Sequence, residues 1–249
     1  MERTPPPRTA AALVIGNEIL SGKVEEANLV ALARALRGAG VLLRRVVMVL
    51  DEVDTIAEEV KALSASHDWL FTSGGVGPTH DDVTIEAVAK AFGVGVVSSP
   101  PMEAMLRAHY GDACTAGHLR MALMPEGAAL ETTTDVTWPT IRLRNTWLLP
   151  GIPEVFRMKL PVVLSHLGGD GRAFVSFAVY LQLDEGEIKP LLDRVVADYP
   201  DVSVGSYPKW HATDYRTKIT FDGREEARAL AARDAFAASL PTGASRRLD

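Results

Sequence analysis

A glycine-rich loop carrying two adjacent acids, Thr72-Ser-Gly-Gly-Val-Gly-Pro-Thr-His-Asp-Asp-Val-Thr84, constrains this chain more than any other stretch. Trp69-Leu70-Phe71 before it is an apolar run that reads as a buried strand. Ile85, Val88, Ala89 and Phe92 after it keep the spacing of one helix face. The loop therefore joins a strand end to a helix start. Glycines there let backbone N–H groups close around an anion. The helix start adds unpaired N–H groups and a positive dipole end. Asp81 and Asp82 would repel a bare phosphate, so the pattern points to a phosphate held through a divalent metal. The plain alternative is that Asp82 only caps the helix.

The composition sets bounds around this loop. The chain has 249 residues, 47% hydrophobic and 23% charged, an ordinary globular balance with room for a sizeable core. That length fits one large domain, or one medium and one small. A net charge of −6 argues against a nucleic-acid partner. The single cysteine, Cys114, excludes an internal disulfide framework, fits a reducing cytoplasmic compartment, and reads as a small buried hydrophobe. No apolar run reaches the roughly 20 residues of a membrane span, so no membrane partner is expected. Met1 to Thr9 lacks an apolar signal region and reads as a flexible lead-in, and Pro241 to Asp249 as a loose tail.

Strand and helix signals alternate along the first two thirds. Ala10 to Ile15 is a buried strand; Leu29, Leu32, Ala33 and Leu36 mark a helix closed by Gly38 and Gly40. Val41 to Leu50 is a strand, Val53 to Leu63 a helical stripe, and Pro100 to His109 another helix. Gly111 to Met124 is mixed. Thr132 to Leu149 is β-branched and holds short strands, and Pro153 opens a helix toward Leu167. The alternation predicts an α/β fold with a mostly parallel sheet and helices on both faces, over residues 10–167. Gly168-Gly-Asp-Gly171 is the candidate linker. Beyond it, Val175 to Leu183 alternates as a strand, Ile188 to Val196 is helical, Val202 to Tyr207 and Tyr215 to Phe221 are strands, and Ala227 opens a last helix. That order, β-α-β-β-α, predicts a small α+β domain over 172–240.

Three separated stretches occur in order: Ile15-Gly16-Asn17-Glu18-Ile19-Leu20-Ser21-Gly22 with Asn28, then Thr72–Thr84, then Leu149-Pro-Gly-Ile-Pro153. Together they resemble the molybdopterin-binding-like family: the MoaB/Mog proteins, the N-terminal domain of CinA, and the N-terminal domain of FAD synthase. The resemblance covers about Ala10 to Leu167. Trp138-Pro139-Thr-Ile-Arg-Leu-Arg-Asn145 looks closer to the FAD synthase branch, and the Thr-Ala-Pro-Gly segment of CinA is missing. Gly205-Ser-Tyr-Pro-Lys-Trp210 and Lys218 to Gly223 look like the small domain that follows in these proteins. The resemblance implies a three-layer α/β/α fold and chemistry on a phosphate-bearing ligand. It implies a divalent cation, Mg²⁺, Mn²⁺ or Co²⁺, leaves K⁺ open as a second ion, and implies a homo-oligomer, dimer or trimer. Asp82 matches the acid after the glycine loop in all branches, and Asp51 the second important acid of the Mog type. Asn17 stands where CinA commonly has Asp. The C-terminal amidase domain of CinA and the adenylyl-transferring domain of FAD synthase find no match, so neither activity is expected.

These readings assign roles. Asp82, Asp51 and Glu18 are the candidate catalytic acids, with Asp82 and Asp81 as metal ligands; for Asp51 the plain alternative is a helix N-cap. Ser73, Gly74, Gly75, Gly77 and Thr79 would meet phosphate oxygens, although the hydroxyls equally serve turn hydrogen bonds. Gly16, Asn17, Ser21 and Asn28 would line the nucleotide, Asn28 alternatively capping a helix. Pro150 and Gly151 would shape a wall. His80 beside the acids and Arg120 are further candidates for metal or phosphate, each equally a surface group. The remaining histidines, His211 among them, lack metal-ligand spacing. Lys209, Trp210, Arg216 and Lys218 form a basic and aromatic cluster suited to a nucleobase or RNA, although the net charge favours packing against the main domain or a second subunit.

The expected function is a metal-dependent nucleotide pyrophosphatase cleaving a dinucleotide diphosphate such as FAD or ADP-ribose. The alternatives are a molybdopterin-binding protein or molybdopterin adenylyltransferase, and a non-catalytic scaffold that senses a nucleotide. All three expect a small nucleotide or pterin ligand.

Overall fold

The computed structural model describes residues 6–168, 172–210 and 214–249. The chain divides into two compact units, Met1–Gly171 and Arg172–Asp249. Of the expected linker only Gly168 lies among the described residues; Gly169, Asp170 and Gly171 lie outside them, as does His211.

In the first unit the order is β1 (Arg8–Ile15), α1 (Asn17–Leu20), α2 (Asn28–Gly38), β2 (Val41–Val49), α3 (Val53–Ser66), β3 (Trp69–Ser73), α4 (Thr84–Phe92), β4 (Val96–Ser98), α5 (Pro100–Tyr110), α6 (Ala116–Leu119), β5 (Leu123–Pro125), β6 (Ala129–Glu131), β7 (Thr140–Leu143), β8 (Thr146–Leu149) and α7 (Pro153–His166). The main sheet runs β2-β1-β3-β8-β7-β6. Its first four strands are parallel, and β7 and β6 continue it antiparallel. Strands β4 and β5 form a separate antiparallel pair. Ala10 to Ile15 is buried throughout because β1 lies inside the sheet with a helical layer on each face. On one face Leu13 and Ile15 pack with Ile56, Val60 and Leu63 of α3 and Val88 of α4. On the other, Ala10, Ala12, Phe71 and Trp147 pack with Leu32 and Leu36 of α2 and Phe156 of α7. This is the expected three-layer α/β/α arrangement.

The lead-in is shorter than expected. Arg8 and Thr9 already belong to β1, and the Thr9 N–H donates to Asp68 Oδ2 at 2.7 Å. A bulge where the register passes from Ala10↔Leu43 to Ala11↔Arg45 makes Arg44 the extra residue of β2. That shift lets Val41 and Leu43 pack on one side of the sheet and Val47 and Val49 on the other. Cys114, expected to be buried, is only half-buried.

The second unit contains β9 (Val175–Leu181), α8 (Glu185–Asp198), β10 (Ser203–Pro208), β11 (Thr217–Gly223), α9 (Glu226–Ser239) and β12 (Ser245–Leu248). Its sheet runs β10-β11-β9-β12, with each of these neighbouring pairs antiparallel. The expected loose tail is overturned: β12 completes a β-α-β-β-α-β unit by pairing with β9. Val179, Leu181, Ile219 and Phe221 turn one sheet face toward Ile188 and Val195 of α8 and Ala232 and Phe236 of α9. Asp184 caps α8 reciprocally with Glu187, satisfying two terminal N–H groups.

Candidate phosphate-binding and acidic site

The sheet order places β1 between β2 and β3, so the chain reverses its winding direction beside β1. The crevice outside the carboxyl ends of β1 and β3 is where open α/β sheets bind ligands. Gly16 follows β1 and Gly74 follows β3, which brings the first two sequence motifs together at that crevice.

Close backbone approach accounts for the glycines. Gly74 has φ +104°, and a Cβ there would stand 2.2 Å from the Ile15 carbonyl oxygen. Its N–H donates to Leu149 O at 3.1 Å, which ties the loop to the third motif. Gly75 has φ +67°, and a Cβ there would stand 2.3 Å from Thr84 Oγ1. Thr84 is buried; its hydroxyl donates to Gly74 O at 2.9 Å and its N–H to Gly75 O at 3.0 Å. Sequence reading placed Thr84 in the helix start but did not see that it fastens the loop. Among the described residues the N–H groups of Gly75, Val76 and Gly77 meet no protein acceptor, so three successive donors remain for an anion.

The acids close the loop rather than cap helices. Asp82 Oδ2 accepts from the Thr79 N–H at 2.8 Å and lies against Gly77, where a Cβ would come within 2.6 Å of it. The α4 N-cap is Val83, without a side-chain cap bond, so the capping alternative for Asp82 does not hold. The Thr79 hydroxyl stands 2.6 Å from both Asp81 Oδ1 and Asp82 Oδ2, and its one proton serves them in turn. Thr79 is thus engaged by the acids rather than turned to a phosphate. That hydrogen bond is the largest influence on Asp81, whose pKa is held below its ordinary value. His80 is exposed, with Nδ1 3.9 Å from Asp81 Oδ1.

Asp51 lies at the end of β2, and the parallel pairing of β1 with β2 brings it to Asn17. The Asn17 N–H donates to Asp51 Oδ2 at 2.8 Å, and Asn17 Oδ1 accepts from the Asp51 N–H at 3.3 Å. Asn17 is therefore a clamp on Asp51. The N-cap of α3 is Glu52, so Asp51 does not cap that helix either. Partial burial pushes the Asp51 carboxyl above its ordinary pKa; the Asn17 bond opposes this, and the charges of Glu18, Asp81 and Asp82 raise it further. The Glu18 carboxylate folds over Gly16, where a Cβ would stand 2.7 Å from Oε1.

For Asn28 the capping alternative does not hold. It is 2% exposed and caps no helix with its side chain. Its Nδ2 donates to Ser73 Oγ at 3.0 Å and to Gly151 O at 2.8 Å, joining all three motifs, while Oδ1 is buried with no partner. Ser73 is buried as well. Gly151 packs on Gly74, a Cβ there lying 3.4 Å from Gly74 Cα; Pro150 beside it is half-buried. Ser21 is exposed after α1, its hydroxyl donating to Glu18 O at 3.3 Å. A cavity of about 80 Å³ is lined by Glu18, Glu26, Asn28, Ser73, Gly151 and Pro153, among others. Arg120 is exposed on the short turn after α6.

Among the described residues no three His, Cys, Asp or Glu side chains are grouped to hold a metal by themselves. The donors that do converge are carboxylate oxygens, Asp81 and Asp82 on one hydroxyl. That set fits a hard cation of the Mg²⁺ kind, which takes one or two carboxylates and completes its shell with water and substrate phosphate.

A glycine loop and adjacent acids thus stand together at the switch point of a mostly parallel sheet in an α/β domain. The chain belongs to the family described as probable molybdopterin binding domain, whose model matches residues 11–167. Residues 173–249 match the FAD synthase middle domain. A protein of Archaeoglobus fulgidus is 30% identical over 213 residues, covering 85% of this chain and 89% of its own. A Caenorhabditis elegans protein named probable FAD synthase is 30% identical over 246 residues, covering 88% of this chain; the chain spans 47% of that relative's length. The crystal structure of a CinA protein of unknown function from Thermoplasma acidophilum matches with TM-score 0.60 and 28% identity, over 66% of this chain and all of that one. No described helix is long and apolar enough to cross a membrane.

Proposed function

We propose that this chain is a metal-dependent nucleotide pyrophosphatase that cleaves the diphosphate of a dinucleotide such as FAD or ADP-ribose. The observation that carries this reading is the adjacent pair Asp81 and Asp82, both held on the Thr79 hydroxyl, beside three loop N–H groups without a protein acceptor among the described residues. Such a site repels a bare anion and accepts one only with a cation between. Mg²⁺, Mn²⁺ or Co²⁺ at Asp81 and Asp82 would supply charge neutralisation and a water of lowered pKa. The N–H groups of Gly75, Val76 and Gly77 would hold the non-bridging oxygens as negative charge grows on them. Asp51, positioned by Asn17, would take the proton of the attacking water. Water oxygen bonds to one phosphorus, the bridging P–O bond breaks, and two monophosphates leave, for example FMN and AMP. The FAD synthase name of the Caenorhabditis elegans relative and the match of the second unit to its middle domain support a flavin or adenine nucleotide as substrate.

Purified protein incubated with FAD or ADP-ribose is expected to release AMP with Mg²⁺, Mn²⁺ or Co²⁺ and not with chelator. Asp82→Ala is expected to lower the rate by about 100-fold or more, the loss typical of a group that stabilises transition-state charge. Cleavage that persists in chelator, or that Asp82→Ala leaves untouched, would remove the acids from the mechanism. The family description favours one other reading, a pterin bound in the same crevice. Absence of AMP release with every metal, together with binding of molybdopterin, would establish that reading instead.

A further inference from the structure

The helices α8 and α9 cover one face of the second sheet, and among the described residues no helix of that unit covers the other. The strand register aligns one row of side chains straight across the open face. Tyr207 of β10 stands opposite Lys218 of β11, Lys218 opposite Tyr180 of β9, and Tyr180 opposite Arg247 of β12. Aromatic and cationic side chains therefore alternate over four strands. The Arg247 guanidinium lies 4.3 Å from the Tyr180 ring centre and Lys218 Nζ 5.6 Å from it. The next row is small: Gly205 opposite Thr220, and Thr220 opposite Ala178. The Tyr207 ring lies down over Gly205, since a Cβ there would stand 2.9 Å from its Cε2 and hydroxyl oxygen. Tyr207 is nevertheless 56% exposed, so an outer ring face stays open. Tyr215 meets Tyr180 edge to face at 4.9 Å, and Trp210, just beyond β10, is 86% exposed.

We infer that this face binds a free nucleotide, its planar base or flavin ring stacked on Tyr207 and its phosphate on Lys218 and Arg247. Flat aromatic rings on an open four-stranded sheet stack bases without regard to sequence, and adjacent cations take the phosphate. Charge decides between a free nucleotide and a nucleic-acid strand. Arg247 is paired with Asp249, whose charge also acts on Lys218, and Lys209 is paired with Asp214, so a phosphate on this row takes the place of the Asp249 carboxylate. Between Arg172 and Asp249 the 12 Asp and Glu balance the 11 Lys and Arg, so the unit has no basic excess. A strand needs a continuous positive track along its backbone; this face offers enough for one phosphate group. The site shares no residue with the acids of the first unit and does not depend on the pyrophosphatase reading.

The test is calorimetric titration of the full chain with AMP and with FMN in EDTA, which silences any metal-dependent site. Binding is expected in wild type, weakened about tenfold or more by Tyr207→Ala and by Lys218→Gln. Tyr207→Phe, which keeps the ring, is expected to bind as wild type does. Gly205→Ala, which lifts the ring off the sheet, is expected to weaken binding as Tyr207→Ala does. Both substituted side chains lie on the surface, and an unchanged thermal melt verifies the fold. No mononucleotide binding in EDTA, or binding indifferent to these changes, overturns the proposal. A single-stranded oligonucleotide held far more tightly than the mononucleotide would make the face a strand-binding surface. Loss of self-association in the same variants would make it a subunit interface.

Discussion

At the scale of single residues, the site is built from positions where one side chain determines the room left for another. Gly74 and Gly93 both have positive φ, +104° and +68°, but only Gly74 faces a backbone oxygen; Gly93 ends α4 with nothing within 4 Å. Gly93→Ala is expected to cost about 1 kcal/mol, the ordinary price of the left-handed region. Gly74→Ala is expected to cost about 2–4 kcal/mol, because the backbone at Ile15 must move as well. Urea unfolding of both variants measures the difference, and equal losses would show that close approach at Gly74 is unimportant. The glycines and acids of the loop were legible as residue types. Their partners were not, because Ile15, Asn17 and Thr84 reach them through folding.

Lys159 is a residue that sequence reading passed over. It is buried in α7, its ammonium donates to the carbonyl oxygens of Trp138 and Pro139, and burial lowers its pKa to about 8. The folded-state value lies below the unfolded one, so between about pH 8 and 10.5 the unfolded chain binds the extra proton and stability rises with pH. Below pH 8 both states are charged and the buried ammonium is a constant cost. Relative to Lys159→Met, wild type is therefore expected to gain about 1–3 kcal/mol between pH 8 and pH 10. Paired denaturation curves at those two pH values measure it; a difference independent of pH would mean that Lys159 titrates normally.

At the scale of elements, helices and long strands were legible because each carries its own periodicity. α3 spans Val53–Ser66 as its apolar stripe predicts, and β9 spans Val175–Leu181 as its alternation predicts. β12 carries no such signal: Ser-Arg-Arg-Leu is short and polar, and it becomes a strand because β9 presents an unpaired edge to it. Ending the chain at Leu240 removes that cover from β9. The second unit is then expected to melt about 5 °C lower or more and to aggregate through the bared edge. Unchanged melting by circular dichroism would show that β12 adds nothing to the sheet.

At the scale of the whole molecule, β2 is the outermost strand of the main sheet, and Leu42, Val46, Met48 and Leu50 are exposed along it. An edge strand whose residues are apolar except for Arg44 and Arg45 is the kind of surface that proteins cover. The chain is expected to sediment as an oligomer, with Met48→Lys weakening association about tenfold or more. A monomer at all concentrations would leave this edge as a plain solvent face.

The sequence by itself determined the strand–glycine loop–helix junction, the two-part organisation and the α/β class of the first part, because turn residues and hydrophobic periods act over a few neighbours. Tertiary structure alone decided what those residues face. Asp51 reaches Asn17 because β1 and β2 pair in parallel, and Tyr207, Lys218, Tyr180 and Arg247 share one row because four strands adopt one register. Register depends on pairings between distant segments, and a shift of one residue would turn each of those side chains to the opposite face.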